Sequence, residues 1–131
     1  MSHNNPHDLR YTPSHEWVRQ EPNGEITLGV TDHAQEALGD LVYAETYPVG
    51  KRLEVGDPCA VVESVKAASD VYAPVPGTLV AGNPVLAKTP EVINRDPYGA
   101  GWLVRIRMES GSDLAGLLDA AAYERLLKEG S

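Results

Sequence analysis

The chain has 131 residues, of which 42% are hydrophobic and 23% charged, with a formal net charge of −8 and a pI near 4.8. That length supports one hydrophobic core rather than two. The acidic balance argues against a nucleic-acid partner, because phosphate binding needs clustered Lys and Arg, and no apolar run approaches a membrane span.

Ten Pro and twelve Gly punctuate short apolar runs, a pattern that predicts strands and turns over long helices and hence a mostly β chain. Met1 to Arg10 is polar and lacks the apolar centre of a signal peptide, so the expected setting is a soluble, intracellular one. Its two histidines, His3 and His7, do not complete a metal site. Trp17-Val18 and Ile26 to Val30, separated by the turn Glu21-Pro22-Asn23-Gly24, read as a hairpin. Thr31 or Asp32 then caps a short helix with Ala34, Ala37 and Leu38 on its apolar face and Gly39 closing it. His33 has no Ser, Cys or metal pattern beside it, which leaves a capping or packing role.

Leu41 to Tyr47 and Lys51 to Val55 are predicted strands. Val49, Leu53, Gly56 and Pro58 are then echoed 26 positions later by Val75, Leu79, Gly82 and Pro84, which implies two copies of a strand-turn-strand unit. Gly-Asp-Pro and Gly-Asn-Pro turns are common enough for chance to produce the match. Between the copies lies a single lysine, Lys66, bracketed by Cys59-Ala60-Val61-Val62 and Val71-Tyr72-Ala73. Two short β-branched runs this close leave room only for a tight reversal, so Lys66 projects from a hairpin tip.

An exposed lysine is usually a solvated charge. A Schiff-base lysine needs an apolar pocket or a neighbouring cation, whereas the nearest charges here, Glu63 and Asp70, are anionic. A covalent attachment site for a swinging cofactor requires exposure and tolerates an ordinary lysine, because a modifying enzyme removes the proton. The local sequence favours attachment over Schiff-base chemistry. Cys59, the one cysteine, reads as a small buried hydrophobe, so dithiol chemistry has to come from an added group.

Further along, Thr89-Pro90-Glu91-Val92-Ile93-Asn94 reads as a helical turn with Pro at its first position. Trp102 to Met108 alternates apolar and basic residues as a half-buried strand. Ser112 or Asp113 is the expected cap of a last helix carrying the stripe Leu114, Leu117, Leu118, Ala121, Leu126 and Leu127.

Four blocks together carry a resemblance: Tyr11-Thr12-Pro13-Ser14-His15-Glu16-Trp17-Val18, the run Gly29 to Asp40, Glu63-Ser64-Val65-Lys66-Ala67-Ala68-Ser69-Asp70, and Asp96-Pro97-Tyr98-Gly99-Ala100-Gly101-Trp102-Leu103. In this order and spacing the chain resembles the glycine cleavage H-protein family from Leu9 to Leu127. The resemblance implies a barrel-sandwich hybrid of two antiparallel sheets with pseudo-twofold halves, short peripheral helices and a C-terminal helix. It implies a flexible terminus over 1–8 and one carrier domain over 9–128.

By the same resemblance Lys66 carries lipoate in amide linkage, as N6-lipoyllysine, and the protein is a non-catalytic carrier. It shuttles an aminomethyl group and reducing equivalents between glycine decarboxylase, aminomethyltransferase and dihydrolipoyl dehydrogenase. A lipoate ligase or lipoyltransferase would read Glu63 when it loads the lysine. Ser14, Glu16 and Asp70 match the positions that shield the loaded arm, with the carboxylates attracting its ammonium.

The expected location is a bacterial cytoplasm, or a mitochondrial matrix for a processed eukaryotic chain, with neither nucleic acid nor membrane as partner. The stretch Ala44-Glu45-Thr46-Tyr47-Pro48 departs from the family by moving its proline one position, which bears on local docking, and Pro84 replaces a position that is usually acidic. A biotin carrier would share the fold, but Val65-Lys66-Ala67 differs from the Met-Lys-Met that such carriers resemble. A lipoyl or octanoyl relay in lipoate assembly would use the same lysine.

Overall fold

The computed structural model describes residues 5–112 and 114–129. Among these residues nine strands form two antiparallel sheets. The larger contains β1 (Arg10–Tyr11), β2 (Glu16–Gln20), β3 (Glu25–Val30), β9 (Val104–Met108), β8 (Gly77–Gly82) and β5 (Arg52–Leu53), in that spatial order. The smaller is β4 (Leu41–Thr46), β6 (Pro58–Ser64) and β7 (Ala68–Tyr72), with β6 central. The helices α1 (Asp32–Leu38), α2 (Val92–Arg95) and α3 (Ala120–Lys128) decorate them.

Period-two patterning explains the layers. Ile26, Leu28 and Val30 of β3 and Val104 and Ile106 of β9 turn inward onto Val62, Val71 and Ala60 of the smaller sheet, and all are buried in one cluster. Outward from the same strands stand Glu25, Thr27, Arg105 and Arg107, with Arg107 paired to Glu25 at 3.2 Å. A second cluster forms on the outer face, where Trp17, Tyr11 and Leu9 meet Ala120 and Tyr123 of α3. Pro6 supplies the carbonyl that accepts from the Tyr11 hydroxyl.

The β2–β3 hairpin forms as expected, its turn a tight helical one over Pro22–Gly24 with Asn23 in the left-handed region at φ 66. Thr31 caps α1 by accepting from the Ala34 amide, and Gly39 closes it at φ 87. His33 therefore does not cap; its ring packs against that of His15.

Several boundaries differ from the expectation, each for a local reason. The last helix starts at Ala120, with Asp119 as its cap accepting from the Ala122 amide at 2.8 Å. Ser112 belongs instead to a turn on Glu109, and Asp113 lies outside the described residues. Leu118 is held extended by reciprocal backbone bonds with Tyr11, at 2.7 and 2.9 Å, so the leucine stripe cannot run on as one helix. α2 begins two residues after Pro90, which sits in the preceding turn. Trp102 precedes β9, bonded back to Gly99, with the Arg105 guanidinium 4.6 Å from its ring.

The 26-residue echo is kept in the strands and lost at the turns. Leu53 and Leu79 both enter the core from paired strands β5 and β8. After Gly56, at φ 90, the chain enters β6, whereas after Gly82 it enters a tight helical turn over Pro84–Ala87.

Candidate functional site

Lys66 is exposed at the tip of the β6–β7 hairpin. The tip has no Gly or Asn; Ser64 replaces them. Its Oγ accepts from the amides of Lys66 (3.3 Å) and Ala67 (3.1 Å), and its backbone amide donates to the Ala67 carbonyl at 2.7 Å. The Val65 amide donates to the Asp40 carbonyl, which ties the tip to the segment after α1. Among the described residues no carboxylate pairs with the Lys66 ammonium. Its stem runs beside Gly39, where a Cβ would stand in ordinary contact, 3.6 Å from Cε.

A cleft of about 250 Å³ opens just behind this tip. One wall is apolar and comes from four elements: Val30 of β3, Ala34, Ala37 and Leu38 of α1, Val62 of β6 and Val71 of β7. The polar lining is Ser14, His15, Glu16, His33, Ser69 and Asp70. Three of the residues singled out from the sequence, Ser14, Glu16 and Asp70, thus share one cleft. Glu63 does not line it. That side chain is exposed on β6, opposite Tyr43 and Ala68.

Glu16 is 3% exposed and tightly held. Its Oε1 accepts from the hydroxyls of Thr12 (2.7 Å) and Ser14 (2.8 Å), and its Oε2 from the Tyr72 amide of β7 (3.0 Å). A carboxylate offers about four acceptor positions, so the two donors fill Oε1 and one position remains on Oε2. Burial raises the proton affinity of Glu16 above that of an ordinary carboxyl, and the three hydrogen bonds oppose this without cancelling it. The folded protein binds this proton more tightly than the unfolded chain does. Its contribution to stability therefore falls as pH rises from the ordinary carboxyl range through the raised folded value.

Glu16→Gln removes that slope and sets the Tyr72 amide against a poorer acceptor, at a cost of about 1–3 kcal/mol. The stability gap between wild type and variant is expected to be widest near pH 4 and to narrow towards pH 7 (about the carboxyl range upward), as read from urea midpoints across that range. A gap that widens with pH would contradict the assignment.

His15 sits at φ 71, held by its amide on the Thr12 carbonyl and its carbonyl on the Thr31 amide. Its Nδ1 lies 2.8 Å from the Tyr123 hydroxyl, which also lies 2.8 Å from Thr31 Oγ1. Burial and then His33 hold His15 below the usual histidine value, and burial pushes the Tyr123 phenol up to about 12. Reading the sequence did not bring out His15 or His33 as cleft residues. The Ala34-Ala37-Leu38 stripe was visible but has two uses, since the face that packs α1 also lines the cleft.

What the arrangement can do follows from its parts. A primary amine at an exposed tip is acylable, and a cleft with an apolar wall and two carboxylates in its lining fits a linear apolar chain with a cationic end. Ser69 of the lining is three residues along from Lys66, at most roughly 10 Å away by extended-chain spacing. A lysine lengthened by an acyl chain of lipoyl size reaches it, so the residues present fit that group.

A family model described as Glycine cleavage H-protein matches residues 9–130. The chain is 55% identical over 124 residues to the glycine cleavage system H protein of Halorhodospira halophila, covering 95% of each. It is 58% identical over 123 residues to the protein of that name from Nitrosospira multiformis, covering 94% of this chain and 95% of the other. The crystal structure of a glycine cleavage system H protein from Mycobacterium marinum superposes with a TM-score of 0.84 at 38% identity, over 94% of this chain and 98% of that one.

Proposed function

Because the chain belongs to the glycine cleavage H-protein family, we propose that it is the lipoyl carrier of a glycine cleavage system, with Lys66 as the attachment site and residues 9–128 as the carrier domain. The observation that carries this reading is a lysine at an exposed hairpin tip beside a cleft that has an apolar wall and the carboxylates of Glu16 and Asp70 in its lining. Lipoate, when bound, supplies a dithiolane that accepts two electrons and a one-carbon amine unit.

The protein's own residues do the rest. Ser64 fixes the tip, so the lysine points away from the sheet into reach of a modifying enzyme. Val30, Ala34, Ala37, Leu38, Val62 and Val71 exclude water from the parked arm. The remaining acceptor position of Glu16 and the carboxylate of Asp70 hold the cargo as an ammonium. A protonated nitrogen has no lone pair with which to expel the sulfur, so keeping the proton on it slows hydrolysis. Ser14 keeps Glu16 aimed. Glu63, exposed three residues before the lysine, is placed for reading by a lipoate ligase or lipoyltransferase.

The partners in this reading are glycine decarboxylase, aminomethyltransferase and dihydrolipoyl dehydrogenase, and the setting is the cytoplasm. The protein performs no chemistry unaided.

Intact mass with peptide mapping tests the reading, after incubation with lipoate, ATP and a lipoate ligase. One lipoyl adduct, confined to Lys66, is expected. Folded protein that takes no adduct, or takes it elsewhere, would overturn the carrier assignment.

A further inference from the structure

The carrier reading uses Ser14, Glu16 and Asp70 but leaves unassigned the two imidazoles that line the same cleft. The rings of His15 and His33 lie 4.6 Å apart and tilted by 39°, brought together from the β1–β2 turn and from α1. His15 is not a casual surface residue. It holds a left-handed backbone that a non-glycine side chain rarely adopts unless its surroundings impose it. Tyr123 of α3 takes its Nδ1, which leaves Nε2 as the nitrogen for other contacts.

The titratable and charged groups that meet this pair come from four elements. Glu16 comes from β2 and Asp70 from β7, both in the cleft lining, and Tyr123 comes from α3. Asp32 and Glu36 share α1 with His33. Two imidazoles this close cannot both charge cheaply, and a single charge on either puts a cation on the wall of a cleft that has to hold another.

We propose that His15 and His33 are positioning residues of the cargo site, whose uncharged state admits a protonated amine to the carboxylates of Glu16 and Asp70 and whose protonation releases it. A charged imidazole competes with the ammonium for those two carboxylates. By linkage the effect is reciprocal: bound cargo weakens proton binding by the pair as much as protons weaken retention of the cargo. Burial and the neighbouring His33 hold His15 below the usual histidine range. The proposal rests on the carrier reading and adds to it a pH window for retention.

The direct test is a ring-nitrogen NMR titration of both histidines in the lipoylated protein, before and after loading from glycine by the partner decarboxylase. Loading is expected to weaken proton binding at the pair about fivefold, the scale of one unit charge acting on another across a solvated cleft. Unmoved titrations on a loaded protein would overturn the proposal.

Two variants give a second readout, the spontaneous loss of amine without partner enzymes. His15→Asn keeps a residue tolerant of left-handed backbone, and His33→Gln leaves the His15–Tyr123 contact in place. The ratio of loss near pH 6 to loss near pH 8 is expected to be about fivefold greater in wild type than in either variant, because protonation of the amine itself slows loss alike in all three. Variants with the wild-type ratio would remove the histidines from the site while leaving the carrier intact. A protein that takes no lipoate on Lys66 would overturn the carrier reading itself.

Discussion

Lys66→Arg is expected to reduce lipoate incorporation to nothing and glycine-dependent turnover to the level seen without carrier, while the fold stays as stable as wild type. The guanidinium keeps the positive charge but has no amine that a ligase can acylate, since it does not give up its proton in proteins. Stability is spared because the hairpin tip does not depend on this side chain. The Ser64 hydroxyl and amide hold the turn, Val65 bonds to Asp40, and no carboxylate among the described residues pairs with the lysine. Exposed substitutions of this kind stay within about 0.5 kcal/mol. Urea unfolding and a coupled carrier assay, run on one preparation, separate the two effects. Residual turnover would show that another group carries the cofactor. A large loss of stability would show that the lysine is part of the scaffold.

Trp17→Ala is expected to produce the opposite pattern, a loss of about 3–5 kcal/mol from truncating a buried indole, with function failing through the fold. Trp17 is fully buried on the outer face of β2, 6.0 Å from the Tyr98 ring. Its Nε1 donates to the Pro97 carbonyl at 2.8 Å, a bond whose loss adds about 1 kcal/mol. Across the strand pair it lies on Gly29, where a Cβ would come within 2.6 Å of the ring. The indole thus fills space that glycine vacates for it, and the opening left by alanine cannot close from that side. Total stabilities of domains this size run to about 5–15 kcal/mol, so the variant should melt at far lower urea. A loss under about 1 kcal/mol would mean that the second cluster relaxes around the hole. That cluster also seats Tyr123 of α3, so the His15 contact at the cleft is expected to weaken along with the fold.

The parts of the molecule legible in the sequence are those governed by neighbours. Ile26, Leu28 and Val30 alternate, so β3 could be placed and its inner face named. Thr31 and Gly39 bound α1 by side-chain and backbone chemistry that operates within one turn. Lys66 could be put at a tip because the apolar runs on either side are short, although the Ser64 side chain that makes the turn gives no pattern of its own. The chain ending was misjudged because Leu114 to Leu127 satisfies helical spacing throughout. What breaks it is the Tyr11–Leu118 pair, made across more than a hundred residues. The same holds at the site. Ser14, Glu16 and Asp70 were found through family resemblance, but the His15–Tyr123 bond spans 108 positions, and neither periodicity nor propensity reaches that far.

Glu16 also has a bearing on solution behaviour. β7 is the outer strand of the smaller sheet, and an outer strand presents backbone groups on which other extended chains can grow. The carboxylate that sits in the cleft occupies one of those groups, the Tyr72 amide, and shuts that rung of the ladder. A single acidic side chain thus blocks one point of edge pairing, so a substitution at this position bears on edge-to-edge association as well as on the cleft.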